Sequence, residues 1–486
     1  MASHNQDQDQ LHIVMVPWLA FGHLNPFLEL SVSLANMGHH ISFITTPRNI
    51  QRLLPNLSPN LHSSSRISFV SLPLPKDENL RDQAESTIDL PSEEVPYLKR
   101  AYDGLEGPVS SFLETSKPDW IIHDFAPYWL PAIASRLNIP CCFFTIFNAS
   151  VNCFFGPPSV FWESGENDTS SEKKKPMDLT VPPSWIPFPS NLAFRSYEFG
   201  KVFGTVEIKL SGVTDGHRIS SAINGCEIMA IRSCLEVESE FLALLGNLFK
   251  KQVIPVGLLP PPPPSPDMIN ELGDTHEEWV QMRKWLDKQE QGSVVYIALG
   301  TEAALSQLEI TELALGLELS KLPFFWVLRK PTGSTEDPLN MLPAGFVERS
   351  RESGFMCMSW APQMRILQHP AIGGFLNHCG WSSVIEALGF GCPLILLPMV
   401  NDQPLNARTM VWKEMGLEIE RNEEDGSFSR ESVVKSLRTV MVNADGEKYR
   451  CKARELKQVF GNELLNDGYV EKFCHYLKEH KRSQIG

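Results

Sequence analysis

Short, almost wholly apolar runs alternate with helix-patterned segments through most of this 486-residue chain. No other feature limits the fold as strongly, because strands hidden on both faces form parallel sheets covered by helices. In the first half, residues 12–16, 40–46, 66–72, 120–124, 141–145 and 227–232 read as strands. Apolar residues recur at helical spacing over 25–37, with Gly38 as a stop, and helices are also predicted over 97–115 and 128–137. The second half repeats the pattern, with strands at 293–299, 324–329, 355–360, 372–376 and 393–398. Helices at 307–320, 364–368, 382–390 and 405–415 separate them, and helical segments at 429–441, 446–459 and 470–479 finish the chain.

Between the halves, residues 257–267 read GLLPPPPPSPD. A proline run cannot pair inside a sheet and extends semi-rigidly, so it marks a joint. The chain is also too long for one ordinary core. Two α/β domains with facing parallel sheets are therefore expected: residues 1–255, a linker over 256–275, and residues 276–486, with the last helix packing back on the first domain. Ligands of such sheets bind at strand carboxyl ends, here in a cleft between domains. The polar stretch 160–179 reads as an exposed excursion.

A formal net charge of −15 argues against a nucleic-acid binder, which needs a basic surface. The polar, acidic start lacks the basic flank and apolar stretch of a signal peptide, and no apolar run is long enough to span a membrane. The ten cysteines show no metal-type CxxC spacing, so reduced core packing is expected, with no metal site. Asn56, Asn148 and Asn167 head N-x-S/T triplets that read as chance matches without a secretory route. A cytoplasmic monomer is the expectation.

Residues 360–403, WAPQMRILQHPAIGGFLNHCGWSSVIEALGFGCPLILLPMVNDQ, carry groups for every part of a nucleotide-sugar. Trp360, expected at a strand end, offers an indole to a nucleobase; a buried core Trp is the alternative. Gln363 brings an amide that both donates and accepts, and Glu386 a carboxylate apt for ribose hydroxyls. Gly380 permits close backbone approach, and Ser382 and Ser383 are placed to cap the next helix. The N–H groups of that helix start would meet a diphosphate, with His378 and Ser383 helping; Thr301, just after the SVVYIALG run, is a further phosphate candidate. Neither a Walker loop nor a GxGxxG fingerprint is present here, which disfavours a kinase or dehydrogenase.

In the first half, PWLAFGHLNP follows the first strand and places His23 at a helix entrance. A lone histidine is more often structural. Asp124, however, ends the strand-like WIIHD at the same sheet edge, where it can accept from one imidazole nitrogen and leave the other to take a proton. An alcohol is a poor nucleophile, so such a pair suits attack on an anomeric carbon. His123, by strand alternation, faces away. Trp18, Phe21, Tyr128, Trp129, Phe147 and Phe188 are candidates for an apolar acceptor pocket, with core packing as the alternative for each.

In order and length, Trp360 to Gln403 resembles the 44-residue signature of the plant UDP-dependent secondary-product glycosyltransferases, and the likeness runs from PWLAFGHLNPFLEL to the terminal helices. The resemblance implies the two-domain GT-B fold, a UDP-sugar cosubstrate, no metal, and inversion at the anomeric carbon. By that likeness His23 is the base and Asp124 its orienter. Trp360 stacks on uracil, Ala361 beside it belongs to the donor site, Gln363 and Glu386 hold ribose, and Thr301, His378, Ser382 and Ser383 meet phosphate. Trp381, Asp402 and Gln403 then face the sugar. Position 382 is Ser where the family commonly has Asn, and a terminal Gln403 accompanies glucose donors. The segments PWLAFGHLNPFLELS, VVYIALGTEA and LELSKLPFFWVLRKP resemble a clade that extends sugars already attached to terpenoids, steroids or flavonoids. Alternatives are an aglycone glucosyltransferase, a rhamnosyltransferase, and a UDP-sugar-binding sensor without turnover.

Overall fold

The inner strands of the first sheet are short and buried, as strands covered by helices on both faces must be, and every strand runs parallel to its neighbours. The computed structural model describes residues 10–56, 66–161, 178–199, 209–262, 275–300, 305–329 and 338–482. The first sheet contains β1 (His12–Val16), β2 (His40–Thr45), β3 (Ile67–Ser71), β4 (Trp120–His123), β5 (Cys141–Thr145), β6 (Ile228–Ile231) and β7 (Gln252–Pro255). The second contains β8 (Val294–Ala298), β9 (Phe324–Val327), β10 (Gly354–Cys357), β11 (Ile372–Asn377), β12 (Leu394–Leu396) and β13 (Gly416–Glu418).

The strand orders are β3-β2-β1-β4-β5-β6-β7 and β10-β9-β8-β11-β12-β13. Each order reverses direction once, between β1 and β4 and between β8 and β11. At such a switch point the flanking loops diverge to opposite faces and open a crevice at the strand carboxyl ends. Register places Val16 opposite His123 in the first sheet and Ala298 opposite Asn377 in the second. The loops that follow those pairs carry the candidate site residues.

Several boundaries differ from expectation. The first helix is Phe21–Asn36, not 25–37: the N–H groups of His23 and Leu24 bond to Ala20 O, so Pro26 lies inside the helix rather than at its start. The region 97–115 is two helices, Val95–Asp103 and Glu106–Ser116, broken where Gly104 lies so close to Pro75 that a Cβ would stand 2.7 Å away. Strands β7 and β13 were not predicted; both are short sheet edges, where β7 tolerates Pro255. The last helix begins earlier than predicted, spanning Glu463–Glu479, with the Asn462 side chain accepting from Leu465 N. It lies on the first sheet: Val470, Phe473, Cys474 and Leu477 share a core with β1 and β2 residues, and Trp120 Nε1 donates to Leu477 O at 2.8 Å. The excursion at 160–179 falls almost wholly outside the described residues, as does the proline run beyond Pro262.

All ten cysteines are free thiols, nine of them buried. Asn148 is buried and caps the helix Ala149–Phe155, its Oδ1 accepting from Val151 N. No helix among the described residues is long and apolar enough to cross a membrane.

Candidate active site

At the first switch point, the loop after β4 carries Asp124, which is only 2% exposed. Three donors hold its carboxylate: Trp18 N at 3.0 Å, Phe125 N at 2.7 Å and His23 Nδ1 at 2.7 Å. An ionised carboxylate only accepts, so Nδ1 carries the hydrogen and Nε2 the lone pair. His23 sits in the first turn of its helix, near Phe125 and Phe147, with ring centroids 5.6 and 6.1 Å away. His123 lies on the opposite side, wholly buried, with Nδ1 against Asp124 O. Burial lowers its pKa to about 4 and keeps it neutral.

At the second switch point, β11 ends at Asn377, and Asn377 Oδ1 accepts from Cys379 N, turning the chain through a left-handed Cys379. The imidazole of His378 then lies between two glycines. A Cβ on Gly300 would stand 2.7 Å from its Nε2, and one on Gly380 2.6 Å. Gly300 also has φ +78°, which only glycine adopts without strain. Desolvation lowers the His378 pKa to about 4 against the opposing effect of the Ala298 main chain, so it is a neutral ring.

The helix Trp381–Gly389 starts here. Gly380 is its N-cap, with no side-chain cap, and the first N–H bonded within the helix is that of Val384, to Gly380 O. The serines therefore do not cap it, contrary to expectation. They lie in its first turn, where Ser382 Oγ accepts from Arg232 Nη1 at 2.6 Å and Ser383 Oγ from Gln363 Nε2 at 3.3 Å. The N–H groups of Trp381, Ser382 and Ser383 form an anion-seeking helix end.

Gln363 joins the ribose candidates: its Nε2 donates to Glu386 Oε2 at 2.7 Å, and its Oε1 accepts from Tyr296 OH at 3.3 Å. Desolvation raises the pKa of Glu386 against the pull of Gln363 and Arg232. Trp360 is not at a strand end, because β10 stops at Cys357; it stands in the following loop, 60% exposed, as a core tryptophan would not be. The Ala361 methyl packs into the second core. The Trp381 indole is buried and donates to Arg232 O at 2.9 Å, which ties it to the end of β6. Asp402 Oδ2 accepts from Asn406 Nδ2 at 2.8 Å, and Gln403 Oε1 accepts from Met399 N and Val400 N, both at 3.0 Å. Thr301 lies outside the described residues.

Of the acceptor candidates, Trp18, Trp129, Tyr128, Phe147 and Phe188 belong to or pack against one apolar cluster, and Phe21 packs against another. Trp18 is buried against Tyr102 and Phe125. Trp129 is buried, and Tyr128 lies beside Arg218 and His217. Phe21 packs near Arg52, and Phe188 stacks on Trp412 and against Phe241. Only Phe147 adjoins the histidine. Phe125 was missed; its sole signal was its place directly after Asp124.

A base–carboxylate pair on one doubly wound sheet, set against a diphosphate-type helix end and a ribose-type amide–carboxylate pair on another, defines a GT-B nucleotide-sugar glycosyltransferase. The model described as "UDP-glucoronosyl and UDP-glucosyl transferase" matches residues 266–460, and the "Glycosyltransferase, N-terminal domain" model matches residues 9–137. UDP-glycosyltransferase 91D2 of Stevia rebaudiana is 44% identical over 98% of this chain and 97% of its own length. Soyasaponin III rhamnosyltransferase of Glycine max is 40% identical over 97% of this chain and 96% of its own. In fold, the chain resembles the crystal structure of Glycyrrhiza uralensis UGT73P12 complexed with glycyrrhetinic acid 3-O-monoglucuronide, with TM-score 0.78, 20% identity and 96% of both chains covered. The chain belongs to the plant UDP-glycosyltransferase family and is a UDP-glycosyltransferase acting on small molecules.

Proposed function

We propose that the protein transfers glucose from UDP-glucose to a hydroxyl of a small-molecule glycoside, forming a sugar–sugar bond with inversion at the anomeric carbon. Residues 1–255 bind the acceptor and residues 276–486 the donor, joined through 256–275. His23 Nε2 takes the hydroxyl proton as the oxygen forms its bond to the anomeric carbon. The bond to UDP breaks, and UDP leaves with the electron pair. Asp124 stabilises the imidazolium that results. The helix end at Trp381–Ser383, with His378, meets the charge growing on the diphosphate. Trp360 stacks on uracil, Gln363 and Glu386 hold ribose, and Asp402 and Gln403 take sugar hydroxyls. The observation that carries this reading is the 2.7 Å His23–Asp124 contact at one switch point, opposite the His378 and Gln363–Glu386 cluster at the other.

A rhamnose donor is the second reading, favoured by the relative named for soyasaponin III and rhamnose. Ten free cysteines, nine buried, support a reducing, cytosolic setting. The test is incubation with UDP-glucose, UDP-rhamnose, UDP-xylose and UDP-glucuronate against aglycones and their monoglucosides, with fragmentation of the products. The reading predicts hexose on a sugar hydroxyl; every new sugar appearing on an aglycone hydroxyl would reject it.

A further inference from the structure

Arg232 belongs to none of the groups assigned above, yet it touches both halves of the site. It follows β6, is 1% exposed, and commits four of its five N–H bonds. Nε donates to Leu258 O at 2.7 Å and Nη2 to Leu259 O at 2.8 Å, which anchors the guanidinium to the segment leaving β7. Nη2 also meets Glu29 at 3.2 Å, on the helix that carries His23. Glu29 lies six positions after His23, about 9 Å along the axis. Nη1 crosses to the other sheet and donates to Ser382 Oγ at 2.6 Å. The Arg232 backbone carbonyl accepts from Trp381 Nε1 at 2.9 Å, so side chain and main chain grip neighbouring residues of one helix turn.

A buried guanidinium is expensive to desolvate and is kept only where its fork is well used. Here the fork joins the base-bearing helix to the helix end proposed for the diphosphate. Ser382 suits this arrangement: its short hydroxyl accepts the arginine instead of reaching toward a ligand. We infer that Arg232 is a positioning residue for the donor site, holding the Trp381–Ser383 turn in register with the His23 helix through Ser382 and Glu29. This rests on the proposed donor reading.

The test uses the full-length protein, with UDP as the calorimetric probe and UDP-glucose as donor in rate measurements. Wild type must bind UDP and Trp360→Ala must bind it more weakly; failure of either rejects the donor reading itself. Given both, Arg232→Gln is expected to raise the donor KM and the UDP Kd about tenfold, with the acceptor KM within about twofold. Arg232→Lys, which keeps charge but loses the fork, should resemble Gln. Ser382→Ala should reproduce part of the effect, and adding Arg232→Gln to it should cost less than in wild type. If Arg232→Gln does not fold, Ser382→Ala decides, since it leaves Arg232 its carbonyls and Glu29. Unchanged UDP affinity in Ser382→Ala, full rescue by Lys, or donor and acceptor KM rising together with a lower unfolding midpoint would each overturn the inference.

Discussion

Trp360 shows how one side chain separates a core role from a ligand role. A 60% exposed indole leaves a large apolar face in water, and stacking on a base would cover it. Trp360→Ala is predicted to weaken UDP binding by ~1–3 kcal/mol in calorimetry, with the thermal midpoint almost unmoved. His378 behaves differently, because its room is made by neighbours. With a Cβ at Gly300 or Gly380 falling 2.7 or 2.6 Å from Nε2, Gly380→Ala must push the ring aside, and Gly300→Ala adds backbone strain at φ +78°. Both variants should raise the donor KM, with Gly300→Ala also lowering stability by about 1 kcal/mol or more in urea unfolding. A donor KM equal to wild type in both would remove His378 from the phosphate site.

At the scale of elements, what was legible in the sequence followed local pattern. Strands β1 and β5 and the helix Gln307–Ser320 occupy the predicted residues, because apolar runs and a Ser306 capping box are signals contained in the segment itself. His23 and Asp124 were readable as a pair because each follows a recognisable strand, although 101 residues separate them. Arg232 was not, since its partners lie 26, 27, 150 and 203 residues away and no local pattern announces them. The capping role expected of Ser382 and Ser383 failed for a related reason. Gly380, with ψ 133°, already starts the helix, which turns both hydroxyls inward to Arg232 and Gln363. The roles of the aromatic candidates were least legible, because an aromatic side chain reads alike whether it stands beside the base, as Phe147 does beside His23, or packs on a helix, as Phe188 does against Trp412.

Over the whole molecule, the seam between the sheets is polar as well as apolar. Asn148 Nδ2 donates to Asn406 Oδ1 at 2.9 Å, Asn406 Nδ2 donates to Cys379 O at 2.9 Å, and Ser150 Oγ pairs with Thr409 Oγ1 at 2.7 Å, all buried. Asn406→Ala would strand Asn148 Nδ2 and Cys379 O and is predicted to cost about 1–3 kcal/mol in urea unfolding. Acid should weaken the fold through two histidines. His123 and His378 have pKa values lowered by burial from 6.5 to about 4, so between those values the unfolded chain binds protons that the folded protein refuses. Stability thus rises with pH across this window and is lost as pH falls from 6.5 toward 4, by roughly 3 kcal/mol at most per histidine. His123→Gln should flatten that slope in a pH series of urea midpoints; an unchanged slope would mean that His123 is already charged in the folded state.

Proton removal is thus proposed for the first sheet and donor binding for the second. The most direct test is His23→Ala, followed by turnover and UDP calorimetry on the same preparation. Turnover is expected to fall by roughly 10²–10⁴-fold while the UDP Kd stays within about twofold of wild type. Turnover that persists near the wild-type rate, or UDP affinity that collapses with it, would contradict the division.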